Sequence, residues 1–83
     1  MRNIWNDNFD LLEIILDEHY SSGDDPSNVE CFNKIDDDKL EEMLDSMSDL
    51  HETIDVACDR FDFDVDDVVD YIKECIEEEM NNR

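Results

Sequence analysis

The sequence predicts an all-α fold, a small bundle of three main helices. The 83 residues include one Gly and one Pro, too few to supply the turns of a β-protein. Apolar residues make up 40% of the chain, which is enough for a core despite the high charge. A chain of this length forms one domain, so residues 1–83 are expected to be a single acidic helical domain.

The first helix is predicted over about residues 5–20, because apolar residues recur there at spacings of three and four. This stripe consists of Trp5, Phe9, Leu12, Leu16 and Tyr20. Residues 21–27 follow as the clearest loop in the sequence and contain Asp24, Asp25 and Pro26. Ser27 and Glu30 fit a capping box, which allows a short helix near 28–34 that would cover the core.

The same spacing predicts a second helix over about 37–60 and a third over about 65–80. The second stripe consists of Leu40, Met43, Leu44, Met47, Leu50, Ile54, Ala57, Cys58 and Phe61. The third consists of Val65, Val68, Val69, Ile72, Cys75, Ile76 and Met80. The second period is continuous and predicts one unbroken helix of about 36 Å. Asp62 to Asp64 should end it, with Asp64 capping the third helix.

The charge limits the classes of partner. The 27 acidic residues against 6 Lys and Arg give a net charge of -21. Nucleic acids and anionic membranes would be repelled, so any partner should be basic. Acidic residues stand near the N-terminus, where a signal peptide would have its apolar region. No apolar run is long enough for a membrane span, and the three Cys form no CxxC pair. These observations predict a reduced, cytoplasmic protein.

The polar faces carry rows of acids at helical spacing, although like charges at that spacing destabilise a helix. The rows are Asp38, Glu42, Asp45, Asp49, Glu52 and Asp59 on the second helix, and Asp66, Asp70, Glu74, Glu77 and Glu78 on the third. The second helix carries about one net negative charge per 5 Å, against about one per 3.4 Å in each DNA strand. We interpret the negative field as the selected property and these acids as the partner-binding residues.

In size, charge and acid spacing, the sequence resembles the acidic DNA-mimic inhibitors of phages and mobile elements, a class that includes anti-CRISPR and anti-restriction proteins. The likeness holds at the level of the class, and no motif of one member is matched. It implies a protein that occupies the basic nucleic-acid-binding surface of a host defence protein, such as a nuclease or defence complex. A phage-encoded protein would then act in the host cytoplasm.

Two other functions compete with this interpretation. Asp45, Ser46 and Met47 resemble the segment around the phosphopantetheine serine of acyl carrier proteins, which would make Ser46 an attachment site. That serine normally opens a helix, whereas Ser46 lies within a continuous apolar period. An acidic chaperone or antitoxin for a basic protein is the second alternative. A solvated acidic face without a partner is the simplest explanation of any single row.

The sequence predicts no enzyme, cofactor or metal site. Asp62, Asp64 and Asp66 match the first three ligands of an EF-hand loop. However, Asp67 stands where that loop needs Gly, and Lys73 stands where it needs a bidentate Glu. No nucleophile lies beside a base at a spacing that would indicate catalysis.

Two further expectations concern the ends of the bundle. A helix of about 36 Å overhangs a domain about 30 Å across, so Met43, Met47 or Phe61 would be left to pack on a second copy. We therefore hypothesise a homodimer. The last residues, 81–83, are expected to fray.

Overall fold

The computed structural model describes residues 3–83, and the side chains of all of these except residues 58–61. The α-helices are α1 (Ile4–Asp7), α2 (Phe9–Ile14), α3 (Asp37–Asp45), α4 (Met47–Phe61) and α5 (Val65–Asn81). A π-helical segment, Ile15–Tyr20, continues α2, and a 3-10 turn covers Pro26–Asn28. No strand forms within residues 3–83, which confirms the all-α bundle. None of the described helices combines the length and apolarity needed to cross a membrane.

The region predicted as the first helix is helical but divided. Helix α1 stops at Asn8, whose side-chain amide donates to the carbonyl of Ile4 at 2.8 Å. Such a bond between a side chain and the backbone competes with continuation of the helix. After α2 the helix widens into the π-helical segment, where the Ser21 hydroxyl donates to the Leu16 carbonyl at 2.6 Å. The apolar period continues through these breaks and does not reveal them.

The prediction of one unbroken helix over 37–60 is wrong. Helix α3 ends at Asp45 and α4 begins at Met47, because Ser46 between them has φ -103° and ψ 31°. Trp5 is fully buried and donates its indole N–H to the Ser46 carbonyl at 3.0 Å. The two helices are therefore about 14 and 22 Å long, instead of one helix of 36 Å.

The short helix near 28–34 does not form. The 3-10 turn lies earlier, at Pro26–Asn28, and Asp25 caps it by accepting from the backbone N–H of Ser27. Residues 31–34 form a turn without helical structure. Val29 and Phe32 are nevertheless buried, so this segment covers the core as expected.

The three predicted apolar stripes meet in a single core. Its members include Trp5, Leu12, Ile15, Leu16, Leu40, Leu50, Ile54, Val68, Ile72, Cys75 and Ile76. Helix α5 begins at the predicted cap, where the Asp64 carboxylate accepts from the backbone N–H of Asp66 at 3.0 Å. The turn before it places Asp62 at φ 58°, a left-handed conformation that Asp adopts more readily than most residues.

Burial also corrects the expectation about a second copy. Met43 is fully buried inside the bundle, so it cannot pack on another molecule. Met47 is half-buried against the core, while the side chains of Phe61 and Cys58 lie outside the described residues. The apolar residue that α4 leaves most exposed is Val56, at 74%. The homodimer stays a prediction, without Met43 in its contact.

The expected fraying does not apply to Arg83. Its guanidinium donates to the Asp37 carboxylate at 2.6 Å and to the carbonyls of Phe32 and Ile35 at 3.2 and 2.6 Å. The guanidinium also forms an ion pair with the Glu79 carboxylate at 3.3 Å. These bonds attach the end of α5 to the start of α3.

Candidate acidic interaction surface

Most acids predicted to bind a partner are exposed. Asp38, Glu42, Asp45, Glu52, Asp66, Asp70, Glu74, Glu77 and Glu78 are exposed, and Asp49 is half-buried. The side chain of Asp59 lies outside the described residues. The break at Ser46 divides the α3–α4 row between two helices. The α5 row stays on one unbroken helix about 25 Å long.

A groove runs between the loop that precedes the 3-10 turn and one side of α5. Its first part has a volume of about 510 Å³ and is lined by Tyr20, Gly23, Asp24, Asp25, Pro26, Asp67, Asp70, Tyr71 and Glu74. A second part of about 520 Å³ continues along α5 and adds Ser27, Glu77, Glu78 and Asn81. We call this continuous depression the acidic groove, since seven acids and no Lys or Arg stand among its described lining residues.

The acidic groove joins predicted and missed residues. Asp70 and Glu74 were predicted from their spacing on the third helix, whereas Asp24, Asp25 and Asp67 were not. The loop was recognised from its composition, but its two consecutive acids have no helical period that would place them near α5. A contact between distant parts of the chain brings them there.

Aromatic contacts position this loop against α5. The Tyr71 hydroxyl donates to the carbonyl of Asp24 at 2.9 Å. The ring of Tyr20 meets the rings of Tyr71 and Phe63 edge to face, with centroids 5.1 and 4.8 Å apart. Gly23 has φ 73°, so the chain turns into the loop through a conformation that favours glycine. These contacts fix the two walls of the acidic groove relative to each other.

The carboxylates of the two walls differ in their partners. On the loop, Asp24 contacts His19 Nδ1 at 2.9 Å. Asp25 accepts from the Ser27 backbone N–H and hydroxyl at 3.0 and 2.8 Å, and these bonds lower the pKa of its carboxyl. On α5, Asp70 and Glu74 form no hydrogen bond or ion pair with any residue that the structure describes. The α5 wall is therefore the one that can receive an external cation.

Few ion pairs with Lys or Arg neutralise the acids within the part of the chain that the structure describes. Among the Lys and Arg residues whose side chains are described, only Arg83 forms ion pairs, with Asp37 and Glu79. The Cα atoms extend over 34 × 33 × 19 Å and the net charge is -21. A DNA duplex 34 Å long carries about 20 phosphate charges. The protein thus presents the charge of a duplex segment of its own length.

This charge should make the stability dependent on salt. We expect the melting temperature to rise between 0.01 and 0.15 M NaCl, because the Debye length falls from about 30 Å, close to the size of the molecule, to about 8 Å. Each kcal/mol of relieved repulsion would raise the melting temperature by about 4–8 °C. Circular dichroism melts at fixed pH measure this. An unchanged melting temperature would show that the acids do not repel one another appreciably.

The contact between Tyr71 and Asp24 should fail at alkaline pH. Burial raises the pKa of Tyr71 from its ordinary 10.0 to about 12, with the nearby Cys75 and Asp24 adding to the effect. The folded state therefore holds this proton more tightly than the unfolded state. The contribution of Tyr71 to stability should be intact below pH 10 and should be lost as the pH rises from 10 towards 12. In urea titrations across this range, Tyr71→Phe should show a smaller decrease than the parent protein, and an equal decrease would contradict the assignment.

The described residues offer neither a reactive thiol in the core nor a metal cluster. Burial raises the pKa of Cys75 to about 12, so its thiol stays protonated at neutral pH, where thiols are poor nucleophiles. No group of three or more His, Cys, Asp or Glu within the described part of the chain is arranged to hold a metal ion. Charge and shape are thus the properties from which function can be argued. The chain shows no significant match to a known protein family, to a curated protein or to a solved structure.

Proposed function

We propose that this protein is a DNA mimic of the anti-CRISPR or anti-restriction type, an inhibitor that occupies the basic nucleic-acid-binding surface of a host defence protein. The observation that carries the proposal is the match between its net charge of -21 over 34 Å and the roughly 20 phosphate charges of an equally long duplex. A surface that binds DNA through phosphates would meet a similar field on this protein.

The placement of the charge also supports mimicry. Most of the acids stand on helices packed around one core, so their positions are held by the fold rather than spread along a disordered tail. Of the 27 acids, 17 are Asp, whose short side chain keeps its carboxylate near the helix axis. Charges in defined positions can imitate a row of phosphates more closely than mobile ones.

The mechanism is competition for a surface. A basic channel attracts the protein through its long-range field, so association should be fast and should slow as salt rises. Once bound, the protein excludes DNA or guide-bound nucleic acid from that channel. No chemical step is needed, and inhibition should be relieved when an excess of nucleic acid competes for the channel.

The test is a competition between the protein and DNA for a captured partner. The tagged protein is used to recover partners from a host lysate at low salt. Each purified partner is then mixed with the protein and a labelled duplex of about 20 base pairs, which is about twice as long as the 34 Å extent of the protein. We expect the duplex and the protein to displace each other. A complex that holds both at once would contradict mimicry. A basic partner that binds no nucleic acid would instead indicate a chaperone or antitoxin.

One observation favours the carrier-protein alternative. Ser46 directly precedes α4, so it opens a helix as the modified serine of acyl carrier proteins does, contrary to the sequence expectation. However, α3 ends at the preceding residue, where carrier proteins have a loop containing glycine. Incubation with coenzyme A and a phosphopantetheinyl transferase tests this function. A mass increase that Ser46→Ala abolishes would support it, and an unchanged mass would exclude it.

A further inference from the structure

We propose that a groove between the first two helices and α4 docks a basic protein segment through an apolar side chain of that segment. The groove has a volume of about 390 Å³, and we call it the Val56 groove. It is lined by Asn3, Asn6, Phe9, Glu52, Thr53 and Val56. The inference rests on the proposed function in one respect, since a basic partner supplies the segment. It adds a contact that phosphates do not make, and such a contact lets a mimic select one basic surface among many.

The first argument is the position of Val56. Its side chain is 74% exposed, and Ile14 is the other large hydrophobic residue that is exposed in the described part of the chain. Val56 stands four residues after Glu52 and three before Asp59, so an acid here would complete the row on α4. Valine is also a poorer helix former than glutamate. Neither the core nor helix propensity accounts for valine at this position, whereas a contact outside the molecule does.

The second argument is that hydrogen bonds inside the protein hold the Val56 groove in shape. Thr53 is only 5% exposed, and its hydroxyl accepts from the Asn3 amide at 3.2 Å and contacts the Asn6 Oδ1 atom at 3.1 Å. These bonds join the start of α1 to α4. Phe9, which packs against the core, adds a second apolar side chain to the lining. A single exposed apolar residue is common on protein surfaces, but Val56 borders a preformed depression, which is what a docked side chain requires.

The third argument is the charge around the groove, which selects its occupant. Glu52 lines the groove without a Lys or Arg among the described lining residues, and the exposed Asp55 precedes Val56 on α4. A second copy would bring another net charge of -21 to this surface, and nucleic acids and anionic membranes would be repelled as well. A basic segment is attracted, and its apolar side chain gains by leaving water beside Phe9 and Val56. The occupant that fits is therefore a protein segment with basic residues around an apolar one.

The experiment uses the full chain and two blocked pentapeptides, Lys-Lys-Leu-Lys-Lys and Lys-Lys-Gln-Lys-Lys, which differ only in the central side chain. Each peptide is titrated into isotope-labelled protein at low salt, and amide and methyl signals are followed by NMR. We expect the leucine peptide to bind about three- to tenfold more tightly than the glutamine peptide. Its shifts should centre on Phe9, Thr53 and Val56, whereas those of the glutamine peptide should be spread over the acidic surfaces.

Variants at Val56 separate an apolar contact from a negative field. Val56→Asp completes the acid row, so a purely electrostatic surface would bind both peptides more tightly. Docking of an apolar side chain predicts the opposite for the leucine peptide, a loss of at least about twofold. Val56→Thr keeps the β-branched shape and the charge, and it should reduce the preference for leucine.

Ile14 supplies the matched control. Ile14→Asp and Ile14→Thr make the corresponding changes at an exposed apolar residue outside the Val56 groove, and they should leave the preference for leucine unchanged. Circular dichroism would verify that all four variants are folded.

Equal binding of the two peptides, tighter binding of the leucine peptide to Val56→Asp, or equal effects of Val56→Thr and Ile14→Thr would each overturn the proposal. A dimeric mass by light scattering that Val56→Thr returns to the monomer would also overturn it, since a second copy would then cover the groove. These measurements contain no partner and no DNA. Failure of the docking site therefore leaves the competition with DNA as a separate result, and failure of that competition leaves the peptide result standing.

Discussion

Replacement of Asp70 and Glu74 by lysine is expected to weaken binding to the basic partner by about a hundredfold. The two substitutions turn attraction into repulsion at the centre of the acidic groove. Like charges placed against each other across an interface cost several kcal/mol, and each 1.4 kcal/mol corresponds to a tenfold change in affinity. Titration calorimetry at 0.05 and 0.15 M NaCl would measure the loss, which should be greater at the lower salt.

The same double variant should be at least as stable as the parent protein. The lysine at position 70 meets Asp66 and Asp67 at helical spacing, and the lysine at position 74 meets Glu77 and Glu78. These attractions, each worth a few tenths of a kcal/mol, outnumber the new repulsions of the first lysine with the second lysine and with Lys73. Both positions are exposed, so no packing is lost. Binding and stability should therefore change in opposite directions. A solvated acidic face with no partner would show the gain in stability without a loss of binding.

A control is needed for the change in net charge. Asp10→Lys with Asp17→Lys alters the net charge by the same amount at exposed positions outside the acidic groove. This variant should lose only the long-range part of the attraction, which is seen in the association rate. Lysine at Asp45, Asp49 and Glu52 tests the predicted row near the Ser46 break. An equal loss from the two double variants, with a larger loss from the triple variant in proportion to its greater change of charge, would show that binding follows net charge and not a defined surface.

The parts of the fold that could be predicted from the sequence are those that follow from local periodicity, namely the helices and their buried faces. Spacings of three and four indicated most of the described core residues and the first residue of α5, and placed its end one residue early. The break at Ser46 was missed because the contact found there, a hydrogen bond from Trp5, comes from 41 positions earlier in the chain. The apolar stripe continues unchanged through that break, so no count of spacings could locate it.

The acidic groove was predictable in one wall only. Asp70 and Glu74 follow the helical period, and their row was identified from it. Asp24 and Asp25 lie at the groove because Tyr71 holds their loop against α5 through its bond to the Asp24 carbonyl. The residues around them in the sequence predict only a loop. The Arg83 contacts are of the same kind, since they join positions 46 to 51 residues apart. A surface formed by residues that are far apart in the chain can be located only once the fold is known.

Removal of the Trp5 side chain should have the largest effect on stability. Trp5 is completely buried and contributes both to the core and to the break between α3 and α4. Truncation of a large buried aromatic residue to alanine costs about 3–5 kcal/mol, a large part of the 5–15 kcal/mol that stabilises a typical domain. We expect Trp5→Ala to melt about 12–40 °C below the parent protein, at about 4–8 °C per kcal/mol. Melts followed by circular dichroism are suitable, because the variant lacks the chain's single tryptophan.

Two further variants separate packing from hydrogen bonding at this site. Trp5→Phe keeps an aromatic ring and loses the bond to the Ser46 carbonyl, which still accepts from the backbone N–H groups of Asp49 and Leu50. Its cost should be smaller than that of alanine, since no buried acceptor is left without a donor. Val56→Ala, a truncation at a residue 74% exposed, should change stability by less than about 0.5 kcal/mol. If Trp5→Ala were as mild as Val56→Ala, the α1–α4 contact would not stabilise the bundle, and the Ser46 break would need another cause.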